Sequence, residues 1–330
     1  MSDLKPWNLV ADIGGTNARF AVHDINNDDI KNIIVLSVEK YPHFLTALTD
    51  FIDQIEQKGG WEPLPGAACL AVACPVDGEI IRLSNSHWSI NKTELSQQLN
   101  NINVDIINDF SAIAYSISSL QSEEWYQLGG GTPQADKPVA ILGPGTGLGM
   151  CTMVPVDKGF LILDGEGGHI DFAPTSTQEV AILTELNKRF QRVSIERLLS
   201  GAGIINIYQA LCKIKSAKEF HNTAQDISTA AINGKDKIAV EALSVFCRVL
   251  GSIAGNLAMI TGAKGGVYIA GGIVPRIINF IDNSECRSQF EDKGRFESYV
   301  KQIPLRILLK DQPGLHGAMQ KIKLNELSPK

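Results

Sequence analysis

The sequence has no excess of basic residues and no apolar run long enough to cross a membrane. Its 30 lysines and arginines are outnumbered by 36 aspartates and glutamates, which gives a formal net charge of −6. This balance lacks the basic footprint that attracts nucleic acids and anionic membrane surfaces. The longest uncharged apolar stretch, Val249–Ala263, is shorter than a membrane span and is typical of a buried helix. We therefore expect neither nucleic acid nor a membrane as a partner.

Several common site signatures are also missing. The six cysteines are scattered, and no CxxC pair and no HExxH segment occurs, which argues against structural zinc and against a disulfide framework. No GxxxxGK[ST], GxGxxG or GxSxG segment is present, which excludes a P-loop, a dinucleotide fingerprint and a serine-hydrolase elbow. The first residues lack the apolar core of a secretory leader. We expect a reduced, cytoplasmic enzyme.

Length and hydrophobic patterning predict a duplicated α/β protein. A chain of 330 residues is longer than one hydrophobic core usually supports, which favours two domains. Leu9–His23 is predicted to form a strand, a tight glycine turn and a second strand, and Val139–Val154 repeats that arrangement. Elsewhere strands alternate with helices, as in an α/β domain with a mixed sheet. We expect the two turns to face a shared cleft.

Four further segments carry structural predictions. The glycine-rich stretch Leu128–Pro138 is predicted to be a surface connection. Ile238–Met259 has the spacing of one long helix, and Val267–Ala270 has the composition of a buried strand. Gly314–Lys323 is predicted to be a short helix that docks elsewhere in the protein.

Three glycine turns follow predicted buried strands and are candidate phosphate sites. They are Gly14-Gly15-Thr16, Gly145-Thr146-Gly147 and Gly271-Gly272. Backbone N–H groups that converge where side chains are absent can bind a phosphate, although such glycines can also serve only to make tight turns. Asp12 precedes the first turn, and a charge in an apolar strand is costly unless it is paired. We favour a role for Asp12 in holding Mg²⁺ beside phosphates over the alternative, a cap on its own turn.

Two segments carry side chains suited to a hydroxylated acceptor. Asn108 and Asp109 end a predicted strand directly before a helix, where the pair fits a helix N-cap and a catalytic base equally well. Asp164–His169 combines three glycines with Glu166 and His169, whose donors and acceptors suit sugar hydroxyls. The alternative for this second segment is a solvated loop.

Glu196 has a plainer interpretation when it is considered by itself. It lies at helical spacing from Arg192 and directly before Arg197. A surface salt bridge is the favoured interpretation for such a pattern.

Together these segments resemble the bacterial-type, ATP-dependent glucokinases of the hexokinase/actin-like ATPase superfamily. The resemblance runs in order through LVADIGGTNARFAV, IINDF, GPGTGLG, GEGGHIDFAP, SIERLLSG, VYIAGGIVPR, FEDKGRF and DQPGLHGA. It implies a two-lobed α/β fold of the actin-like ATPase (ribonuclease H-like) type with a ligand cleft between the domains. The small domain would comprise residues 1–118 and 311–330, completed by the C-terminal helix. The large domain, 119–310, would carry the contact of a homodimer.

The resemblance also implies an activity and a set of site residues. Glucose would be phosphorylated at its 6-hydroxyl by ATP with Mg²⁺, feeding glycolysis, with Asp109 as the general base. The implied sugar-binding residues are Asn108, Asp109, Glu166, His169 and Glu196. The implied nucleotide-binding residues are Ala11, Asp12, Ile13, Gly14, Gly15, Thr16, Gly145, Thr146 and Gly147 around the phosphates, Gly271 and Gly272 at the adenosine end, and Asp12 also at the metal.

The sequence departs from the motifs of related proteins at two places, and two functions other than glucose phosphorylation remain to be weighed. No CxCGxxGC segment follows His169, so the chain resembles the zinc-free branch rather than the related ROK kinases, and LSNSHW stands where the family usually has Thr-Asn-His-Thr-Trp. A sugar-responsive repressor would need a DNA-binding segment before the first turn, where only about ten residues stand. Other acceptors would be mannose, fructose, an N-acetylated hexose or a carboxylate, and the acidic acceptor residues disfavour the last.

Overall fold

The computed structural model describes residues 4–157 and 159–327. The chain forms two compact units. The first unit contains the described residues up to Leu120 together with those from Lys310 onward, and the second unit is Gln121–Leu309.

The first unit is built on a five-stranded sheet. The strands of this sheet are β1 (Trp7–Ile13), β2 (Asn17–Asp24), β3 (Asp29–Ser37), β4 (Ala67–Val72) and β7 (Asn103–Asn108). The unit also contains two short strands, β5 (Ile80–Arg82) and β6 (Ser89–Asn91). Its first three helices are α1 (Phe44–Lys58), α2 (Lys92–Gln98) and α3 (Asp109–Ile117). The strand order is β3-β2-β1-β4-β7, and β5 and β6 pair separately.

The second unit is built on a six-stranded sheet. Its strands are β8 (Trp125–Gly129), β9 (Val139–Pro144), β10 (Leu148–Val156), β11 (Gly159–Gly165), β12 (Gly266–Ile269) and β13 (Leu305–Leu308). Its helices are α4 (Thr177–Asn187), α5 (Gly201–Ile214), α6 (Ala224–Ile232), α7 (Lys237–Thr261), α8 (Ile278–Asp282), α9 (Cys286–Glu291) and α10 (Glu297–Lys301). The strand order is β11-β10-β9-β12-β13-β8.

The two sheets repeat one topology. In the first unit β1 pairs antiparallel with β2 and parallel with β4, β2 pairs antiparallel with β3, and β4 pairs parallel with β7. In the second unit β9, β10, β11, β12 and β13 make the same pairings in the same order. The duplication predicted from two short glycine-turn segments is therefore confirmed, and it extends over five strands.

One expectation for the second unit is wrong only at its first two residues. The predicted surface connection at Leu128–Pro138 begins inside β8, which pairs antiparallel with β13. The guanidinium of Arg306 lies 3.8 Å from the ring centroid of Trp125, so an aromatic–cation contact fixes the strand. The strand ends at Gly129, where φ is +143°, and residues 130–138 form no helix or strand, so the predicted connection is observed from residue 130 onward.

The C-terminal helix, α11 (Pro313–Leu327), packs within the first unit. It contacts α3, β1 and β4, and Leu315 and Met319 join a buried cluster with Val10 and Cys69. The opposite face of β1 packs into a separate core that includes residues of α1. A strand buried on both faces explains why LVADI is apolar at nearly every position instead of alternating.

Helix α7 is the long helix that the sequence predicts. By length and composition it passes the test for a membrane span, but 67% of its most apolar window is buried inside the protein. It packs against α5, α6 and α9. Gly251 allows the close contact with α9, since a Cβ there would lie 1.9 Å from the carbonyl oxygen of Cys286. The helix is therefore a core element of the second unit.

Two buried carboxylates fix the ends of secondary structure elements. Asp24, at the end of β2, accepts hydrogen bonds from Lys31 Nζ at 2.8 Å and Asn27 Nδ2 at 2.6 Å. Glu179, near the start of α4, accepts from Arg248 Nη2 at 2.9 Å and from the Thr175 amide at 2.7 Å. Buried charges of this kind are tolerated because they are paired and hydrogen-bonded.

Candidate functional site

The first glycine turn joins antiparallel strands in the first unit. The Gly14 amide donates to the carbonyl of Asn17 at 3.0 Å. The Thr16 carbonyl accepts from the Val38 amide at 2.9 Å. A Cβ on Gly15 would lie 2.6 Å from the carbonyl oxygen of Asn85. Glycine is needed here because two backbone segments meet where a side chain would not fit.

This contact brings the LSNSHW segment to the first turn. A cavity of about 470 Å³ in the first unit is lined by Gly15, Thr16, Val38, Glu39, Asn85, Ser86 and His87. His87 Nε2 lies 3.0 Å from the Tyr41 carbonyl, and Trp88 Nε1 donates to the same oxygen at 2.9 Å. The segment that departs from the usual family residues is therefore fixed in place beside the candidate phosphate turn.

Asp12 lies on the face of β1 that α11 covers. Its Oδ2 is 3.7 Å from Nη1 of Arg19 on β2, and 26% of its side chain is exposed. A Cβ on Gly314, in the first turn of α11, would lie 3.0 Å from the Asp12 carboxyl carbon. Burial raises the pKa of Asp12, and the positive charge of Arg19 opposes that rise. Among the described residues its carboxylate makes no hydrogen bond to the following turn, so the capping alternative is not observed.

The single carboxylate of Asp12 fits Mg²⁺ that a nucleotide and water mainly hold. Mg²⁺ in phosphate-transfer sites commonly takes one or two carboxylates and completes its shell with water and phosphate oxygens. Asp12 supplies one carboxylate beside the glycine turn. No group of three or more His, Cys, Asp or Glu side chains that could form an all-protein metal site occurs within residues 4–157 and 159–327. The neighbours Ala11 and Ile13 are fully buried.

Asn108 and Asp109 lie where β7 meets α3. Asn108 is the N-cap: its Oδ1 accepts from the amides of Phe110 at 2.9 Å and Ser111 at 3.4 Å. Asp109 is the first residue of α3, and its Oδ1 accepts from the Phe110 amide at 3.0 Å. The capping interpretation is thus confirmed for Asn108. It leaves Asp109 as a carboxylate at a helix N-terminus, where the helix dipole favours negative charge.

The second glycine turn is held by residues far along the chain. Within the turn, the Gly145 amide donates to the Gly147 carbonyl at 2.8 Å. The Gly145 carbonyl accepts from the amide of Gly201, the first residue of α5, at 2.9 Å. Gly271, which follows β12 with φ +84°, has no room for a side chain because a Cβ would lie 2.4 Å from the carbonyl oxygen of Pro144. Two of the three predicted phosphate turns therefore meet in the second unit.

The predicted sugar segment packs directly against the second turn. After β11, Gly167–His169 forms a single 3-10 turn. A Cβ on Gly168 would lie 2.1 Å from the carbonyl oxygen of Leu148, the residue after the second glycine turn. Glu166 Oε2 and His169 Nε2 are 4.0 Å apart, and their side chains are 66% and 57% exposed. The segment presents two polar side chains on a backbone that packs against the candidate nucleotide turn.

The salt bridge favoured for Glu196 is wrong. Its Oε2 accepts a hydrogen bond from the Leu148 amide at 3.0 Å. Arg192 instead donates to the His169 carbonyl at 2.7 Å and to Asp171 at 2.9 Å, and Arg197 lies over the Phe190 ring. Helical spacing fails here because Ile195–Arg197 is an isolated 3-10 turn rather than part of an α-helix.

Fold and site together define a class of protein. Two copies of one topology, each with a glycine turn between its first two strands, form the two-domain actin-like ATPase fold of sugar kinases. The Glucokinase family model matches residues 9–325. The chain is 41% identical over 315 residues to the glucokinase of Cronobacter sakazakii, covering 96% of both chains, and 42% identical over 332 residues to that of Colwellia psychrerythraea, covering 99% of this chain and 98% of that one. The chain belongs to the glucokinase family.

Solved structures agree with the fold. A crystal structure of glucokinase from an Antarctic psychrotroph is 32% identical, has a TM-score of 0.84, and covers 96% of this chain and 98% of that one. A ROK family glucokinase from Streptomyces griseus, solved with glucose and AMPPNP, has a TM-score of 0.64 at 19% identity over 96% of this chain and 98% of that one. At that identity the second structure supports the fold alone.

Three contacts at the candidate site were not predicted from the sequence. They are Gly314 against Asp12, Asn85 against Gly15, and Arg192 with the His169 carbonyl. The first joins positions that are distant in the sequence, and no periodic pattern encodes such a contact. A signal was present only for Gly314, as a glycine at the start of a predicted helix, since glycine can mark a place where another group approaches the backbone closely.

Proposed function

We propose that this enzyme transfers the γ-phosphoryl group of ATP to the 6-hydroxyl of glucose. The observation that carries the proposal is the contact between Gly168 and Leu148 in the second unit. This contact supports the proposal because the segment with side chains suited to sugar hydroxyls and the turn suited to phosphates lie in the same unit. A kinase that acts on a polyhydroxy acceptor needs both in proximity.

In this proposal, the phosphates are bound by backbone amides of the two glycine turns. The first turn is Gly14–Thr16, with Ala11, Asp12 and Ile13 leading into it, and the second is Gly145–Gly147. Gly271 and Gly272 would take the adenosine end. Asp12 would hold Mg²⁺, which when bound neutralises charge on the phosphates. The close backbone contacts behind Gly15 and Gly271 support this assignment because they restrict the shapes that the turns can adopt.

On the acceptor side, we assign Asp109 as the general base. It would accept the proton of the 6-hydroxyl as that oxygen attacks the γ-phosphorus, the bond to the ADP oxygen breaks, and ADP leaves. Asn108, Glu166, His169 and Glu196 would bind the remaining hydroxyls. Placement of Asp109 on the first residue of a capped helix supports the role, since a base must be held by rigid structure to act.

Further expectations rest on family membership and composition rather than on contacts. We propose that the two units are the small and large domains of the family, that the enzyme is a homodimer, that it acts in the cytoplasm, and that its product enters glycolysis. Nucleic acid and membrane surfaces are not among the proposed partners, because the chain carries a formal net charge of −6.

An acceptor panel tests the reaction. ADP production from Mg·ATP is measured with glucose, mannose, fructose, N-acetylglucosamine, acetate and no acceptor. We expect turnover to be strongly preferential for glucose and negligible with acetate. Equal turnover of another hexose would contradict the assigned substrate, and ATP binding without any acceptor-dependent turnover would contradict the assigned activity in favour of a sugar-responsive regulator.

A further inference from the structure

Glu196 touches the second glycine turn from outside it. Its Oε2 accepts from the Leu148 amide at 3.0 Å, and a Cβ on Gly147 would lie 2.6 Å from the same oxygen. The turn therefore contains glycine at the one position where a side chain would displace this carboxylate. A hydrogen bond to a charged acceptor is stronger than one between neutral groups, so this contact is a substantial restraint on the shape of the turn.

The segment that carries Glu196 is itself anchored to the turn. The Ser200 hydroxyl donates to the Glu196 carbonyl at 2.8 Å and accepts from the Gly203 amide at 3.0 Å as the N-cap of α5. The Gly201 amide holds the Gly145 carbonyl. One short stretch of chain therefore holds both ends of the turn. The backbone of Gly201 holds its start, and the side chain of Glu196 holds its end.

The same segment is anchored to the sugar segment on its other side. The Ile195 amide donates to the Ile170 carbonyl at 3.0 Å, and the Phe172 amide donates to the Val193 carbonyl at 3.0 Å. Arg192 adds its hydrogen bond to the His169 carbonyl. Residues 192–201 therefore connect the two loops by hydrogen bonds that all lie within the second unit, and Glu196 is the charged side chain of this stretch that contacts the nucleotide turn.

We propose that Glu196 couples sugar binding to nucleotide binding, as a positioning residue for the second glycine turn in addition to its role as a sugar ligand. The proposal rests on the proposed function for the identity of the two ligands. One carboxylate oxygen holds the Leu148 amide and so keeps the turn in the shape that presents its amides to phosphate. A sugar hydroxyl bound to the other oxygen immobilises the carboxylate. The nucleotide then binds to a turn that is already ordered. Coupling between two sites is reciprocal, so each ligand strengthens the binding of the other.

The test measures nucleotide binding without turnover. The dissociation constant of a non-hydrolysable ATP analogue with Mg²⁺ is determined by calorimetry, with and without glucose, for the full chain and for Glu196→Ala, Glu196→Gln and Glu219→Ala. Glu219 is the matched control because it is an exposed carboxylate of the same unit that is assigned to neither ligand site. Urea unfolding of each variant shows whether it is folded, and Glu196→Gln keeps an acceptor oxygen at the same reach if the alanine variant is unstable.

We expect Glu196→Ala to weaken analogue binding about tenfold in the absence of glucose, as loss of one hydrogen bond to a charged acceptor predicts. Glu196→Gln should recover most of that loss, and Glu219→Ala should bind the analogue with wild-type affinity. The gain in analogue affinity on adding glucose should fall to about onefold in Glu196→Ala. Wild-type analogue affinity in Glu196→Ala without glucose, or no effect of glucose on the wild-type protein, would overturn the proposal. Failure of the proposed function is a separate outcome, namely a wild-type protein that binds the analogue but does not phosphorylate glucose.

Discussion

Replacement of Gly317 by alanine should loosen the C-terminal helix from the first unit. Gly317 lies on α11 where that helix crosses α3, and an added Cβ would lie 1.7 Å from the carbonyl oxygen of Ala112 and 2.4 Å from its carbonyl carbon. Both of these atoms are backbone, so no side-chain rotation can relieve the overlap. The two helices must separate, and separation also weakens the packing of Leu315 and Met319 against β1 and β4.

The expected change in the free energy of unfolding is the sum of two opposing effects. Overpacking typically costs about 1–3 kcal/mol, and the upper end applies because the obstructing group is backbone. Alanine in a helix interior is more favourable than glycine by about 1 kcal/mol, which offsets part of that cost. We therefore expect Gly317→Ala to lower the free energy of unfolding by about 2 kcal/mol.

The assay is urea denaturation of the full chain, followed by circular dichroism and tryptophan fluorescence. Gly314→Ala is the matched control on the same helix, because its Cβ would lie 3.0–3.3 Å from carboxyl atoms of Asp12, and a side-chain carboxylate can move. We expect Gly314→Ala to unfold near the wild-type midpoint. Wild-type stability in Gly317→Ala would refute the close helix contact, and equal destabilisation of both variants would refute the distinction between backbone and side-chain obstruction.

Three further predictions concern Gly314, the pairing of Arg248 with Glu179, and the pKa of Asp24. Gly314→Ala should raise the apparent KM for Mg·ATP several-fold while the fold is kept, because it displaces Asp12; an unchanged KM in steady-state kinetics would argue against Asp12 as the metal ligand. Arg248→Met should cost about 3–5 kcal/mol in urea unfolding because it leaves Glu179 buried and charged, and the double variant with Glu179→Gln should recover much of that cost; additive losses would contradict the pairing. Burial, which raises the pKa of Asp24, is outweighed by hydrogen bonds from its lysine and asparagine neighbours, which hold that pKa at about 2. Its roughly 2 kcal/mol of stability should be present above pH 4 and be lost as the pH falls towards 2, a slope that Asp24→Asn should abolish in acid-unfolding curves.

Local sequence patterns were sufficient to predict much of the fold. Leu9–His23 and Val139–Val154 were predicted as hairpins because glycines interrupt apolar runs of strand length, and both are observed. Such runs need no knowledge of the partner strand, since a strand buried on both faces is apolar throughout. The same reasoning failed at Trp125–Gly129, where the glycines that follow a short edge strand were the stronger signal.

The candidate site was less predictable because its contacts join distant segments. Glu196 was assigned to an arginine at helical spacing, but its partner is the Leu148 amide, 48 residues away in the sequence. The approach of Gly314 to Asp12 spans nearly the whole chain. Residue types suited to phosphates and hydroxyls could be recognised locally, whereas the hydrogen bonds that join their loops depend on how the second unit packs.

The most direct test of the central claim is the activity and nucleotide affinity of Asp109→Asn. Asparagine keeps an oxygen that can accept from the Phe110 amide, as Asp109 does at 3.0 Å, but it cannot take up the hydroxyl proton. We predict that glucose-dependent ADP production falls by about 10²–10⁴-fold, with the wild-type unfolding midpoint and the wild-type affinity for the ATP analogue retained. Turnover close to wild type in a folded Asp109→Asn protein would contradict Asp109 as the base.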